Sequence, residues 1–328
     1  MDNTHTLLAL IAPQRSTQYA GLAEALAPHE LALSAAGAVI THSELITLGG
    51  LRYVRCALRQ PLDAAQIAAL GELGASSAFF DCVARDGALW LRPIETAFTP
   101  ALPRELAQAR RYKGKTNELF THVLLNIARR STAFAETPWS ELRVFDPLAG
   151  GGTTLFTALM LGASAYGIEK DAQDVTLTAA YMRQFCNEAH IPMREKEERL
   201  KNVGKRFSFT VGPRHQQLVC SAGDSAECAK LLNGFKRAHL IVADMPYGIQ
   251  HKGPLAALLH SVLPAWAQWL EPGGALALSW DATRTPRAEM VAAAEAACPL
   301  KVLVAPPYDA LAHAVDRVIK RRDVIVMR

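Results

Sequence analysis

The stretch that decides the fold is VFDPLAGGGTTL, Val144–Leu155. Apolar Val144 and Phe145 end on an acid, Asp146. Gly150, Gly151 and Gly152 then lead into Thr153 and Thr154. This order reads as the end of a buried strand, a turn and the start of a helix, TTLFTALMLG. Glycine opens backbone conformations closed to other residues and lets a ligand approach the main chain. The helix start offers that ligand N–H groups with no partner inside the helix.

Downstream, the same alternation repeats. LRVFD, SAYGIE, FSFTV, QLVCSA, HLIVAD and GALALSW read as strands, and KVLVA and RDVIVMR close the chain as two more. DVTLTAAYMRQFCNEA, PLAALLHSVLPAWAQWL and RAEMVAAAEAA read as helices. Near-continuous apolar strands alternating with helices imply a parallel sheet covered on both faces. Ligands of such sheets bind at the carboxyl ends of the strands, so chemistry belongs in the loops that follow them.

Upstream, TNELFTHVLLNIARR reads as a helix capped by Thr116, with Leu119, Val123, Leu124 and Ile127 on one face. Before it, Pro93, Pro100 and Pro103 mark a linker that ends in the basic loop RRYKGK. Residues from about 5 to 95 mix strands (TLLALIA, ELALSA, AVITHS, RYVRCAL, SAFFDCV, ALWLRP) with helices TQYAGLAEALA and DAAQIAALGEL, the second capped by Asp63. The division expected is a small α+β domain over 1–95, a linker and basic loop over 96–115, and a larger α/β domain over 116–328. His5, His29 and His42 stand alone in the first part and mark no catalytic cluster.

Half of the 328 residues are apolar, a fifth are charged and the net charge is +4, a globular composition that permits a polyanionic partner without requiring one. The six cysteines contain no C-x-x-C pair, which signals neither a zinc site nor a redox dithiol and fits a reducing, cytoplasmic compartment. No apolar run has transmembrane length, and LLALIAP follows Asp2 with no Lys or Arg before it. Neither a signal peptide nor a membrane partner is expected. No residue pattern speaks to oligomeric state.

The glycine turn fits two phosphate-binding patterns poorly. A P-loop needs a Lys that is missing, and the third glycine of a dinucleotide fingerprint is replaced by Leu155. The order D-P-x-A-G-x-G-T instead resembles the first motif of the class I S-adenosylmethionine-dependent methyltransferases. That resemblance implies a Rossmann-like sheet, mostly parallel with an antiparallel final strand. It also implies S-adenosyl-L-methionine as cofactor, held by Asp146, Gly150, Gly152 and Thr153. At the next strand end, YGIEKD, the family's ribose-binding acid corresponds to Glu169, which could also be a helix-start acid; Asp171 reads as the cap of the next helix. At the third, SAGDS, the acid that reads the adenine amino group corresponds to Asp224, which serves equally as a helix cap.

The fourth strand end is ADMPYGIQH, Ala243–His251. Its D-M-P-Y tetrad resembles the motif of methyltransferases acting on exocyclic amino groups, with Met245 where Pro is usual. Such a nitrogen is a poor nucleophile because its lone pair is delocalised into the ring. Two acceptors aimed at its hydrogens favour the tetrahedral geometry in which it reacts. The resemblance assigns these to Asp244 and the Met245 carbonyl, the turn to Pro246, and stacking on the base to Tyr247. Within this group, D-x-P-Y-G is similar to the Trm-type tRNA guanine-N2 methyltransferases, whose N-terminal region binds RNA. That likeness implies an RNA substrate, tRNA above all, with Thr116 at the methionine end of the cofactor. Arg111, Lys113 and Lys115, beside Arg110, would then meet RNA phosphates. A second charged segment, MREKEERLKNVGKRF, reads either as a further RNA contact or as a solvated helix end laced with i,i+4 pairs. The competing functions are DNA adenine-N6 methylation, methylation of a protein side-chain amide, and a non-enzymatic RNA-binding module with a residual cofactor site.

If Tyr247 stacks on the base, Tyr247→Ala raises KM for the nucleic acid while the dissociation constant for S-adenosylmethionine, measured by calorimetry, stays unchanged. The reverse pattern removes the stacking role.

Overall fold

The computed structural model describes residues 5–14, 21–85, 88–112, 114–200, 204–245, 255–315 and 320–328. The chain forms two compact units, residues 1–99 with 304–322 and residues 100–303 with 323–328. The sequence pattern kept 304–322 with the larger α/β domain; in the structure this segment clusters with the first unit.

The first unit contains β1 (His5–Ile11), α1 (Leu22–Leu33), β2 (Ile40–Leu48), β3 (Leu51–Leu58), α2 (Ala64–Leu70), β4 (Ser76–Arg85) and β5 (Ala88–Pro93). The strands form an antiparallel sheet in the order β2-β3-β1-β4-β5. Leu7 and Ala9 of β1 face Cys56 and Val54 of β3, and all four are fully buried. Asp63 caps α2 as expected. Its carboxylate accepts from Gln66 N at 2.8 Å while the Gln66 side chain accepts from Asp63 N at 3.0 Å.

ELALSA is not a strand. Glu30–Leu33 forms the last turn of α1, and the buried residues Leu22, Ala23, Leu26, Ala27, Glu30 and Leu31 follow the helical period. Glu30, only 2% exposed, explains why the helix continues. Its carboxylate accepts from Gly74 N and Ala75 N, each at 2.9 Å, and so anchors the turn against the loop before β4.

The second unit opens with α3 (Glu105–Gln108), a short turn inside the expected linker, and α4 (Glu118–Arg130). Asn117, not Thr116, caps α4, through Oδ1 accepting from Phe120 N at 3.0 Å. Next come β6 (Arg143–Asp146), α5 (Thr153–Leu161), β7 (Ser164–Glu169), α6 (Ala172–Glu188), β8 (Met193–Leu200), β9 (Gly204–Val211), β10 (Gln216–Ala222), α7 (Cys228–Leu231) and β11 (Ala238–Asp244). After these come α8 (Leu255–Trp269), β12 (Leu270–Asp281), α9 (Arg287–Ala297) and β14 (Arg321–Met327), while the two-residue β13 (His313–Ala314) falls in the segment that clusters with the first unit. Every residue of α5 is buried, its three threonines included.

The sheet order is β14-β12-β11-β6-β7-β10-β9-β8. Four pairings, β12–β11, β11–β6, β6–β7 and β7–β10, are parallel. The chain steps outward from β6 through β7 to β10, then resumes on the other side of β6 with β11 and β12. The order therefore reverses between β6 and β11, and the carboxyl ends of the strands at that reversal are where ligands of such sheets bind.

Two expectations change. Residues 193–207 do not form a helix end. β8 and β9 pair antiparallel in register, and β9 pairs antiparallel with β10. Cross-strand charge pairing favours the hairpin: Lys205 meets Glu197 at 2.9 Å, and Arg206 meets Glu198 at 3.0 Å. Arg206 is 7% exposed and also donates to Leu231 O and Asn233 O, so its charge is consumed inside the fold. KVLVA is paired over 301–303 alone, antiparallel to the chain end: Lys301 and Arg328 exchange N–H and C=O bonds at 2.9 and 3.0 Å, and Leu303 N donates to Val326 O at 2.8 Å.

Glu30→Ala removes two charge-assisted hydrogen bonds and should lower the stability of the first unit by ~2–4 kcal/mol in urea unfolding. A change below ~0.5 kcal/mol would show that the helix turn stands without them.

Candidate active site

Asp146 is the last residue of β6 and is 3% exposed. Its Oδ1 accepts from Leu148 N at 2.9 Å, which turns the chain sharply after the strand. Gly150 and Gly152 have φ of +48° and +88°, left-handed values that explain why glycine stands at both positions. Gly152 is the N-cap of α5, and Thr153 is the first helical residue.

Glu169 ends β7 beside this turn. Its Oε2 accepts from Gly150 N and its Oε1 from Asp171 N, each at 2.9 Å. One carboxylate thus ties the glycine turn to the start of α6. Asp171 caps that helix, accepting from Gln173 N at 2.7 Å. Asp224, after β10, is exposed and caps a short helical turn through Ala226 N at 2.9 Å.

Asp244 ends β11, across the order reversal from Asp146. Thr116 Oγ1 donates to its Oδ2 at 2.9 Å, and Ser279 Oγ donates to its Oδ1. The Met245 N–H is held by Ser279 O at 2.8 Å, and its side chain is buried. Pro246, Tyr247 and Lys113 lie outside the described residues.

The basic loop does not present its charges uniformly. Arg111 is exposed. Arg110 turns inward, donating to Gly151 O and, at 2.7 Å, to Thr178 Oγ1. Its guanidinium lies over the Tyr112 and Tyr181 rings, 5.2 and 5.5 Å from their centroids. The Tyr112 ring covers Gly151 so closely that a Cβ there would stand 2.3 Å from it, and the Tyr112 hydroxyl bonds Thr153 Oγ1 at 2.6 Å. Lys115 also turns inward, donating to Ala107 O at 2.9 Å and Gln108 O at 3.1 Å.

The structure thus brings Thr116, Asp146, Gly150, Gly152, Thr153, Glu169 and Asp244 to one edge of the sheet. Ser279 and Tyr112 belong with them and were not singled out from sequence; Arg110, expected at RNA phosphates, is bonded inward to Gly151 O and Thr178 Oγ1. Tyr112 sits within RRYKGK, where an aromatic residue among basic ones could have drawn attention. Ser279 lies two residues before the end of an apolar strand and gave no local signal.

Burial pushes the Asp146 carboxyl up to about 7, and the nearby Asp244 and Glu169 charges push the same way, against bonds from the Thr154 side chain and the Leu148 amide. Among the described residues no basic side chain pairs with Asp146, and no group of His, Cys, Asp and Glu is arranged to hold a metal ion. A cation placed beside Asp146 would favour its ionised form, so the site suits a cationic ligand. It suits a phosphate poorly, because Tyr112 covers the glycine turn.

No protein-family model and no curated protein matches the chain. Among solved structures it is similar to TrmN from Thermus thermophilus, at 14% identity and a TM-score of 0.48, covering 99% of each chain. It is also similar to the T. thermophilus 16S rRNA N2 G1207 methyltransferase RsmC in complex with AdoMet and guanosine, at 14% identity and a TM-score of 0.38, covering 95% of this chain and 62% of that one. A third is precorrin 8w decarboxylase from Methanobacterium thermoautotrophicum, at 14% identity and a TM-score of 0.39, covering 66% of this chain and 92% of that one. At these identities and TM-scores the likenesses carry no functional argument, and the geometry of the site must. No helix among the described residues is long and apolar enough to cross a membrane.

An acid whose pKa is raised on folding binds its proton more tightly in the folded state. Its contribution is fully present below its unfolded value of 3.8 and is lost as pH rises towards about 7. Asp146→Asn lacks this loss. Between pH 5 and pH 8 the wild type should lose roughly 2 kcal/mol more stability than the variant in urea unfolding. Equal losses would mean that Asp146 is ionised throughout.

Proposed function

We propose that the second unit binds S-adenosyl-L-methionine and methylates an exocyclic amino nitrogen of a nucleobase in RNA, specifically guanine N2 in tRNA or another structured RNA. The observation that carries this reading is the set of strand-end acids Asp146, Glu169 and Asp244 around a glycine turn at the reversal of strand order. The residues fit the cofactor. Asp146, buried without a basic partner, matches an α-ammonium group. Glu169 retains acceptor capacity for two ribose hydroxyls beyond the two amides it binds. Gly150 and Gly152 allow close approach of the main chain, and Thr153 and Thr116 border the same turn and crevice. Asp224 is the acid available to an adenine amino group.

When bound, this cofactor supplies an electrophilic methyl group on a cationic sulfur. The protein's own part is orientation and electrostatics. Asp244 accepts one N–H of the amino group, and the Met245 carbonyl accepts the other. Asp244 need not be a strong base, because the proton leaves after the nitrogen has gained its methyl group. Pro246 and Tyr247 complete the base pocket in this reading on the strength of the sequence motif. Exposed Arg111 supports a phosphate contact, and Lys113 extends it from sequence. Lys115 contributes by holding the loop, since its ammonium is tied to carbonyls.

Calorimetry should show S-adenosylmethionine binding by wild type and, unchanged, by Asp244→Ala. Radiolabelled methyl transfer into tRNA, rRNA and DNA, followed by nucleoside analysis, should show N2-methylguanine with wild type and a loss of ~10²-fold or more with the variant. Absence of cofactor binding by folded protein overturns the proposal. Full activity in Asp244→Ala removes Asp244 from the amine, and N6-methyladenine in DNA replaces the substrate.

A further inference from the structure

Asp244 has a feature that the motif does not predict: each of its carboxylate oxygens accepts from a different hydroxyl, and these come from opposite ends of the unit. Thr116 lies 128 residues before Asp244 and Ser279 lies 35 after it. Resting on the reading that Asp244 orients an amino group, we infer that Thr116 and Ser279 form a two-point clamp on its carboxylate. Ser279 is thereby a positioning residue for methyl transfer.

The geometry supports a purpose beyond filling space. Asp244 and Ser279 are register partners in the parallel β11–β12 pair. The ladder continues one residue further, through Met245 N to Ser279 O at 2.8 Å, so the two side chains meet at a fixed point. Ser279 is 0% exposed, with its hydroxyl shielded from competing water. Thr116 is fixed from its own side. Asn117 caps α4 immediately after it, and the Lys115 ammonium before it is tied to the Ala107 and Gln108 carbonyls.

An aspartate carboxylate turns easily, because the torsion about Cβ–Cγ is broad. One hydrogen bond leaves that rotation open, whereas two donors, one on each oxygen, fix the plane. Fixing the plane fixes where an amine hydrogen must point. In the reading above, Asp244 acts by direction rather than by basicity, so the clamp governs turnover more than binding.

The test uses the full-length chain. Ser279→Ala and Thr116→Val remove each hydroxyl with little change of volume, and Thr116→Ser keeps it. In the free protein, the Asp244 carboxyl carbon, assigned by loss of its 13C signal in Asp244→Asn, should shift in Ser279→Ala and Thr116→Val but not in Thr116→Ser. With cofactor and RNA, Ser279→Ala should lower kcat ~10- to 100-fold. KM for RNA and the calorimetric dissociation constant for S-adenosylmethionine should stay within about twofold of wild type. Unshifted carboxyl signals overturn the clamp. So does wild-type kcat in Ser279→Ala, or a kcat loss matched by equal losses in KM and cofactor binding. A wild type that binds cofactor yet methylates no nucleic acid overturns the reading of Asp244 itself, while the carbon signal still decides whether the two hydroxyls hold its carboxylate.

Discussion

Parallel pairing is the constraint on which the second unit depends. Strands that run the same way must be joined by crossovers, so their carboxyl ends collect along one edge. β6 is flanked on both sides, by β7 and by β11, and the chain visits those sides in succession. Whatever residue ends each strand is thereby delivered to a common crevice, although Asp146, Glu169 and Asp244 are far apart in sequence. The glycine turn adds what a strand end alone lacks, main chain open to approach at Gly150, while Tyr112 covers Gly151. Glu169 joins the two, because its carboxylate holds Gly150 and Asp171 together.

Much of this was legible because the signals are local. An apolar run ending in an acid and followed by glycines marks a strand end whatever surrounds it, and Asp146, Gly150, Gly152 and Glu169 all lie where that pattern puts them. Asp63 and Asp171 cap their helices for the same reason. The readings that changed depended on partners distant in sequence. ELALSA alternates like a strand, but Glu30 finds the amides of Gly74 and Ala75 in the helical arrangement. Thr116 looks like a cap, yet its hydroxyl goes to Asp244 and the neighbouring Asn117 takes the helix. Ser279 matters only through its register with Asp244, which nothing in GALALSW announces.

The charge distribution of the crevice narrows its ligands as strongly as its shape does. The carboxylates of Glu169 and Asp244 repel phosphate, Asp146 has no basic partner among the described residues, and Tyr112 covers the Gly151 main chain that a phosphate would need. Arg110, the cation nearest the turn, is held between two aromatic rings and bonded to Gly151 O and Thr178. It stiffens the turn rather than neutralising the acids. A compact, positively charged ligand meets none of these obstacles.

The β8–β9 hairpin carries a consequence for ionic strength. Glu195 is paired with Arg183, Glu197 with Lys205, and Glu198 with Lys196 and Arg206. Side chains already neutralised by one another displace no condensed cations when a polyanion approaches. The steepness with which salt weakens nucleic-acid binding counts only the charges that do. The paired charges of this segment are therefore electrostatically quiet; on the proposed reading, exposed arginines outside these ion pairs, Arg194 and Arg199 in the same segment and Arg111 elsewhere, would set how sharply RNA binding responds to salt. The same charges keep an exposed sheet edge from pairing with a neighbouring chain.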